Sequence, residues 1–133
     1  MPLLIDTSLW VDFTRASSPP RAKQLIVPHL LHRDAHLAEP VAFEVLRHAT
    51  PTEARRLIQQ FQTLPMLTTP PDLWTQAAQL GQACRGQGIT AASLDLLIAA
   101  VALHYGAEIV TFDLDFERIA SVSALQVKCL QRP

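Results

Sequence analysis

Between Thr90 and Gly106 the chain reads TAASLDLLIAAVALHYG, and from Leu94 to Leu103 every residue but Asp95 is apolar. A helix with no polar face has no side to turn to water, so it must lie between other layers of the molecule. Thr90 or Ser93 is its expected N-cap, and Gly106 stands where a left-handed glycine ends a helix. The rest of the chain must therefore supply cover on more than one side. At 133 residues and 49% hydrophobic content a single domain is able to do so. Asp95 is the exception that needs a reason, because an unpaired buried carboxylate is costly. It requires a polar opening at the first turn of the helix. Taken alone, it is explained slightly better as a charge that complements the helix dipole at a solvated edge.

The flanking segments read as alternating strands and helices. Leu3-Leu4-Ile5 is a short apolar run of the kind found in a central strand covered on both faces. It passes into Asp6-Thr7-Ser8, all N-cap residue types, after which Leu9, Trp10 and Phe13 recur at helical spacing. Ser17-Ser18-Pro19-Pro20 breaks that helix, and Pro20 suits the first position of the next, expected to run to about Arg33. His36-Leu37-Ala38 is a candidate strand, and Glu39-Pro40 opens a third helix that carries Glu44 among Val41, Ala42, Val45 and Leu46. Pro51 starts a fourth helix through Leu57, Ile58 and Phe61, residues 65–68 form a brief strand, and Pro70-Pro71-Asp72 leads into a helix ending near Gly86. Glu108 to Phe112 is the clearest strand, delivering Asp113-Leu-Asp115 at its end; a short helix through Ile119 and a last strand from Leu125 to Leu130 follow. This order predicts one α/β domain over residues 1–133, three layers deep, with a mostly parallel sheet in which Leu3–Ile5 and Ile109–Phe112 are central neighbours.

Charge and composition narrow the function. A net charge of -1 is too small for a protein that grips nucleic acid by bulk positive potential, so a phosphate substrate must be met by local arginines or a bound cation. Cys84 and Cys129 have no CxxC spacing and read as ordinary thiols of a reducing compartment. The start of the chain has no basic region or cleavage site, and the run from Leu96 to Leu103 is far short of the ~20 residues that span a bilayer. The expectation is a cytoplasmic protein without a membrane segment.

The acids carry the chemistry. Asp6 and Asp113 fall at the carboxyl ends of strands, where parallel sheets gather their functional groups. Asp95 and Glu44 are each the lone acid in an apolar stretch near a helix start. Individually, Asp6 and Asp113 are as well explained as caps, and Glu44 as a solvated helix residue. Together at one sheet edge they would repel unless a divalent cation neutralised them, and oxygen-only ligands suit Mg²⁺ or Mn²⁺. Metal-assisted phosphodiester cleavage is the chemistry such a set supports.

The segments LLIDTS at 3–8, PVAFEVL at 40–46, LDLLIAA at 94–100 and VTFDLDF at 110–116 resemble, in order and spacing, the four signature segments of PIN-domain ribonucleases, and most closely the VapC-type toxins of bacterial toxin–antitoxin pairs. The resemblance covers essentially the whole chain. It implies a parallel sheet of about five strands between helices and a Mg²⁺-dependent endoribonuclease site, with Mn²⁺ as a substitute. On that pattern Asp6, Glu44, Asp95 and Asp113 match the core acids, with Asp6, Asp95 and Asp113 as metal ligands. Asp115 matches an additional aspartate, Thr111 the hydroxyl before Asp113, and Thr7 or Ser8 the hydroxyl after the first aspartate. It further implies a single-stranded or loop RNA substrate, a homodimer, and a cognate antitoxin whose tail covers the site. Leu9, Trp10, Phe13, Leu25 and Ile26 are candidates for apolar surface that meets such a partner, or for core.

Other readings have weaker support. Asp113-Leu-Asp115 has the D-x-D form of dehalogenase-type phosphatases, but that motif normally opens a chain and continues with small residues. A receiver domain would use Lys128 but needs acids that are missing here. A catalytically silent PIN-like module that only binds protein has no reason to keep four repelling carboxylates together. His29, His32 and His36 invite a zinc reading, although solvated histidines account for them better. Arg21, Lys23, Arg47, Arg55 and Arg56 are individually solvated helix charges.

Overall fold

The computed structural model describes residues 1–133. The chain forms β1 (Leu3–Ile5), α1 (Thr7–Thr14), α2 (Pro20–Leu30), β2 (Ala35–Ala38), α3 (Glu39–Arg47), α4 (Pro51–Phe61), β3 (Met66–Leu67), α5 (Leu73–Gly86), α6 (Ser93–Tyr105), β4 (Glu108–Thr111), α7 (Asp115–Ala120) and β5 (Gln126–Cys129). Five strands make one sheet in the order β3-β2-β1-β4-β5, and every neighbouring pair is parallel. The α/β expectation holds, and the sheet is parallel throughout rather than mostly so. β1 and β4 are central neighbours as expected, with Ile5 opposite Val110.

This strand order explains where a site forms. From β1 the chain builds outward through β2 to β3, then crosses back to lay β4 and β5 on the other side of β1. Crossovers leave the two sides of β1 in opposite directions, so a crevice opens beyond the carboxyl ends of β1 and β4. Asp6 and Asp113 are the acids that follow those ends.

The long apolar helix is α6, and Ile98 to Ala102 along it are all within 1% of complete burial. It lies closely on α5, where a Cβ added at Gly81 would sit 3.1 Å from Leu96 Cδ1. Gly106, at φ 62°, ends it as expected: the N–H of Ala107 reaches the carbonyl of Ala102 at 2.9 Å, closing a Schellman motif. Its start differs from the expectation. Ala92 occupies the N-cap and no side chain caps the helix; Thr90 falls short of it and Ser93 is already its first residue.

Helix α2 stops at Leu30 rather than near Arg33. Pro28 removes one N–H from its last turn, and His32 then organises a tight exit, its Nδ1 accepting from Asp34 N–H at 3.0 Å and its carbonyl from Ala35 N–H at 3.0 Å. His36 donates from Nδ1 to the Asp34 carbonyl at 2.6 Å, so these histidines serve the turn, and none belongs to a metal-competent group of side chains. Of the residues that the sequence left open as partner surface or core, Leu9, Trp10 and Ile26 are core, no more than 1% exposed; the Phe61 ring meets Trp10 edge-on at 5.0 Å. Cys84 and Cys129 are free thiols. No helix is long and apolar enough to cross a membrane.

Candidate active site

Among all buried side chains only Asp6 and Thr111 are polar or charged, and they are bonded to each other. Asp6 is 3% exposed, at the step from β1 to α1, where its carboxylate caps α1 by accepting from Ser8 N–H at 3.2 Å. The same oxygen, Oδ2, accepts from Ser8 Oγ at 2.8 Å and from Thr111 Oγ1 at 2.7 Å. Each hydroxyl has one proton to give, and both give it to Asp6. Their lone pairs are used as well: Phe112 N–H donates to Ser8 Oγ at 3.0 Å, and Asp113 N–H to Thr111 Oγ1 at 2.9 Å. The 3.3 Å approach of the two hydroxyls to each other is therefore a packing contact with no proton left for it.

This network holds Oδ2 of Asp6 in place and ties it to the backbone that delivers Asp113. Of the two hydroxyls the sequence left open, it contains one. Ser8 engages Asp6, whereas Thr7 Oγ1 is buried without a partner. Burial raises the Asp6 pKa above the ordinary carboxylate value, and the hydrogen bonds from Thr111 and Ser8 work against that rise.

Replacing Thr111 by Val keeps its shape but removes a donor from a buried carboxylate and an acceptor from Asp113 N–H. We expect Thr111→Val to lower unfolding free energy by about 2 kcal/mol in urea denaturation, with Thr111→Ser recovering more than half of it. Equal stability of Thr111→Val and the parent would mean that the network contributes nothing.

Asp113 follows β4, and its Oδ1 accepts from Asp115 N–H at 2.9 Å, which starts α7. Asp115 is in turn paired with Arg118 at 3.2 Å in an exposed (i, i+3) contact worth little by itself. Carboxylate oxygens of Asp95, Asp113 and Asp115 lie within 4.8 Å of one another. This group includes Asp115, the additional aspartate of the sequence, while Asp6 keeps its Oδ2 in the hydroxyl pocket. Asp6 and Glu44 stand nearby, as Asp95 registers. Its pKa is pushed up to about 7, by burial first and then by Asp6, Asp113, Glu44 and Asp115. The other four acids singled out in the sequence are therefore all felt by Asp95.

Such a donor set fits a divalent cation. It is made of hard oxygens only, it is mutually repulsive as carboxylates, and its spacing is what one ion of Mg²⁺ or Mn²⁺ type can bridge. The repulsion has a measurable sign. The unfolded chain releases the Asp95 proton near 3.8, whereas the folded one keeps it to about 7. Between those values the native state binds more protons, so stability falls as pH rises through the window. Asp6 contributes in the same direction. After discounting for solvent on the open side of Asp95, we expect a loss of about 1–2 kcal/mol, or roughly 5 °C in Tm, between pH 4.5 and pH 7.5 in chelator. Mn²⁺ should restore most of it at pH 7.5 and little at pH 4.5. A cation effect independent of pH would place the ion elsewhere.

No sequence motif marks Arg132. It donates from Nε to Asp12 on α1 at 2.7 Å and stacks over the Phe112 ring at 4.8 Å. Its partner lies 120 positions away, and no local pattern announces the pair. Arg118, by contrast, was readable from its helical spacing to Asp115.

The PIN domain family model matches residues 3–122. VapC ribonuclease Mb1587 of Mycobacterium bovis is 38% identical, over 93% of this chain and 96% of its own length. Ribonuclease VapC11 of Mycobacterium tuberculosis matches with the same identity and coverage. In fold, the chain is similar to VapBC2 of Rickettsia felis, with a TM-score of 0.78, 16% identity, and coverage of 98% of this chain and 100% of the other.

Proposed function

The chain belongs to the PIN domain family, in its VapC branch, and from that premise we propose that it is, as a single domain, a divalent-cation-dependent endoribonuclease and the toxin of a toxin–antitoxin pair. The observation that carries the reading is the half-buried Asp95 with Asp113 and Asp115 within 4.8 Å and Asp6 and Glu44 in reach, where burial first and then these four acids push its pKa up to about 7. A fold does not maintain that repulsion for stability; it costs stability at neutral pH unless a cation relieves it.

Asp95, Asp113 and Asp115 or Asp6 would hold Mg²⁺ or Mn²⁺. When bound, such an ion supplies Lewis-acid polarisation of a phosphodiester and a water of lowered pKa. The remaining work belongs to the chain. Ser8 and Thr111 fix the orientation of Asp6, and Thr111 also steadies Asp113 through its N–H. Glu44 accepts the proton of the attacking water or completes the ligand shell. Single-stranded or looped RNA is the substrate that suits an acidic crevice, since its phosphates can be splayed toward the ion as those of a stiff duplex cannot.

A candidate partner surface lies on the helices, sharing no residue with the acid group. A groove of about 150 Å³ between α1, α2 and α4 is lined by Phe13, Val27, Leu30, Leu31 and Leu64, with Trp10 at its base. Leu31 is 78% exposed. An amphipathic antitoxin helix fits such a groove, and a basic residue on its tail would find the acids. Phe43 and Trp74, 58% and 73% exposed, give α3 and α5 apolar area for a second copy, as a homodimer requires.

The test is RNA cleavage by the purified chain with Mg²⁺ or Mn²⁺ and with chelator, alone and co-expressed with the small protein encoded beside it. Cation-dependent cleavage suppressed by the neighbour supports the proposal. No cleavage with either ion defeats the nuclease reading, and cleavage untouched by the neighbour defeats the toxin reading.

A further inference from the structure

The acids account for how a scissile phosphate would be met, but not for how an RNA strand is held beside them. The bulk charge of -1 offers no general attraction. Along the ends of β4 and β5 runs an open groove of about 700 Å³, lined by Phe112, Leu114, Glu117, Cys129, Leu130 and Arg132. It begins next to the acids, because Phe112 directly precedes Asp113, and the final segment is fastened there by Leu130 N–H to the Thr111 carbonyl at 2.7 Å. Leu114, an apolar side chain at its edge, is 60% exposed.

Arg132 is the one cation of this groove. Its Nε donates to one oxygen of Asp12 at 2.7 Å and its Nη2 more weakly to the other at 3.5 Å, its guanidinium carbon lies 4.8 Å from the centre of the Phe112 ring, and its side chain remains 56% exposed. A guanidinium held along this one edge keeps Nη1 and the outer proton of Nη2, its opposite edge, pre-oriented for a bidentate phosphate contact. Asp113 is close enough to be felt by Arg132 electrostatically. Glu117, the one carboxylate in the lining, forms no ion pair with it.

We infer that the β4–β5 groove is a nucleotide subsite flanking the cleavage position, in which Arg132 binds the phosphate next to the scissile one and Leu114 packs under its base. The inference rests on the nuclease reading. Arg132 is a substrate-positioning residue and takes no part in bond cleavage. Asp12 and Phe112 set its geometry.

The probe is a randomised pool of single-stranded RNA oligonucleotides, cleaved with Mg²⁺ and, separately, bound with Ca²⁺ in place of Mg²⁺. Arg132→Gln should raise KM and Kd about tenfold, with the larger part of the change in KM rather than kcat. It should also flatten the plot of log Kd against log salt by about 0.7, the share of one single-strand phosphate contact. Arg132→Lys, which keeps the charge and loses the fork, should keep the salt slope and recover part of the affinity. Tm of each variant is measured in parallel, since the Asp12 contact also ties the end of the chain to α1. A lowered Tm with unchanged KM and salt slope would make Arg132 a structural clasp and overturn the subsite. A wild-type chain that neither cleaves nor binds the pool would overturn the nuclease reading and this inference with it, whereas an active wild type matched by Arg132→Gln would overturn only the subsite.

Discussion

Asp95→Asn should lower kcat/KM for RNA cleavage by at least about a hundredfold, and in chelator at pH 7.5 it should make the protein more stable than the parent. The two effects share one cause. Asp95 lies at the centre of the acid set, and its proton is held to about 7 by burial and by Asp6, Asp113, Glu44 and Asp115. Asparagine has nearly the same shape, so the packing of α6 survives, while one charge leaves the repelling group. Tm in chelator should therefore rise by a few degrees at pH 7.5 and hardly change at pH 4.5, where the parent already carries the proton. Cation affinity falls for the same reason that stability rises. Asp6→Asn tests the neighbouring position with a different signature. Its Oδ2 already takes donors from Ser8 and Thr111, so the amide must point its carbonyl there and turn its NH₂ toward the remaining acids. Activity should fall comparably, without the gain in stability. Undiminished cleavage in Asp95→Asn would sink the site assignment; loss of cleavage accompanied by loss of fold would show that Asp95 is structural.

Much of this was readable because the informative signals were local. An apolar segment with a single acid, Leu94 to Leu103, had to become an inner helix with an opening at its first turn. Asp6 and Asp113 had to follow strands because apolar runs stop directly before them. The parts that were not readable depend on contacts between distant residues. Thr7 and Ser8 both begin α1, and only the arrival of Thr111 and Phe112 from β4 selects Ser8. The close approach of Asp115 to Asp95 and Asp113 likewise joins the start of α7 to the start of α6 across the fold. Leu9 and Ile26 have the spacing of an amphipathic surface, and which side faces the sheet is a property of the packed helix pair. The pairing of Arg132 with Asp12 joins the two ends of the chain, and such a contact leaves no trace in either segment.

Phe116→Ala should cost about 3–5 kcal/mol of unfolding free energy, a large part of the roughly 5–15 kcal/mol that holds a domain together. The helix α7 has six residues, too few to stand without tertiary support, and Phe116 is completely buried beneath it with Ile119. Truncation leaves a cavity and removes the anchor of the turn in which Asp115 N–H holds Asp113 Oδ1 at 2.9 Å. The consequence should reach the site. At temperatures where the variant is still folded, its cleavage rate should fall beyond the fraction unfolded, because Asp113 and Asp115 lose their fixed spacing. Phe116→Leu, which keeps most of the volume, should lose less than half as much stability. Leu114→Ala provides the contrast two positions earlier: at 60% exposure it should change stability by no more than about 0.5 kcal/mol. Urea denaturation of the three variants, with cleavage measured on the same preparations, checks each point. A loss below about 1 kcal/mol for Phe116→Ala would mean that α7 is held by something other than this side chain, and an intact rate in a strongly destabilised variant would separate the turn from the chemistry it is argued to support.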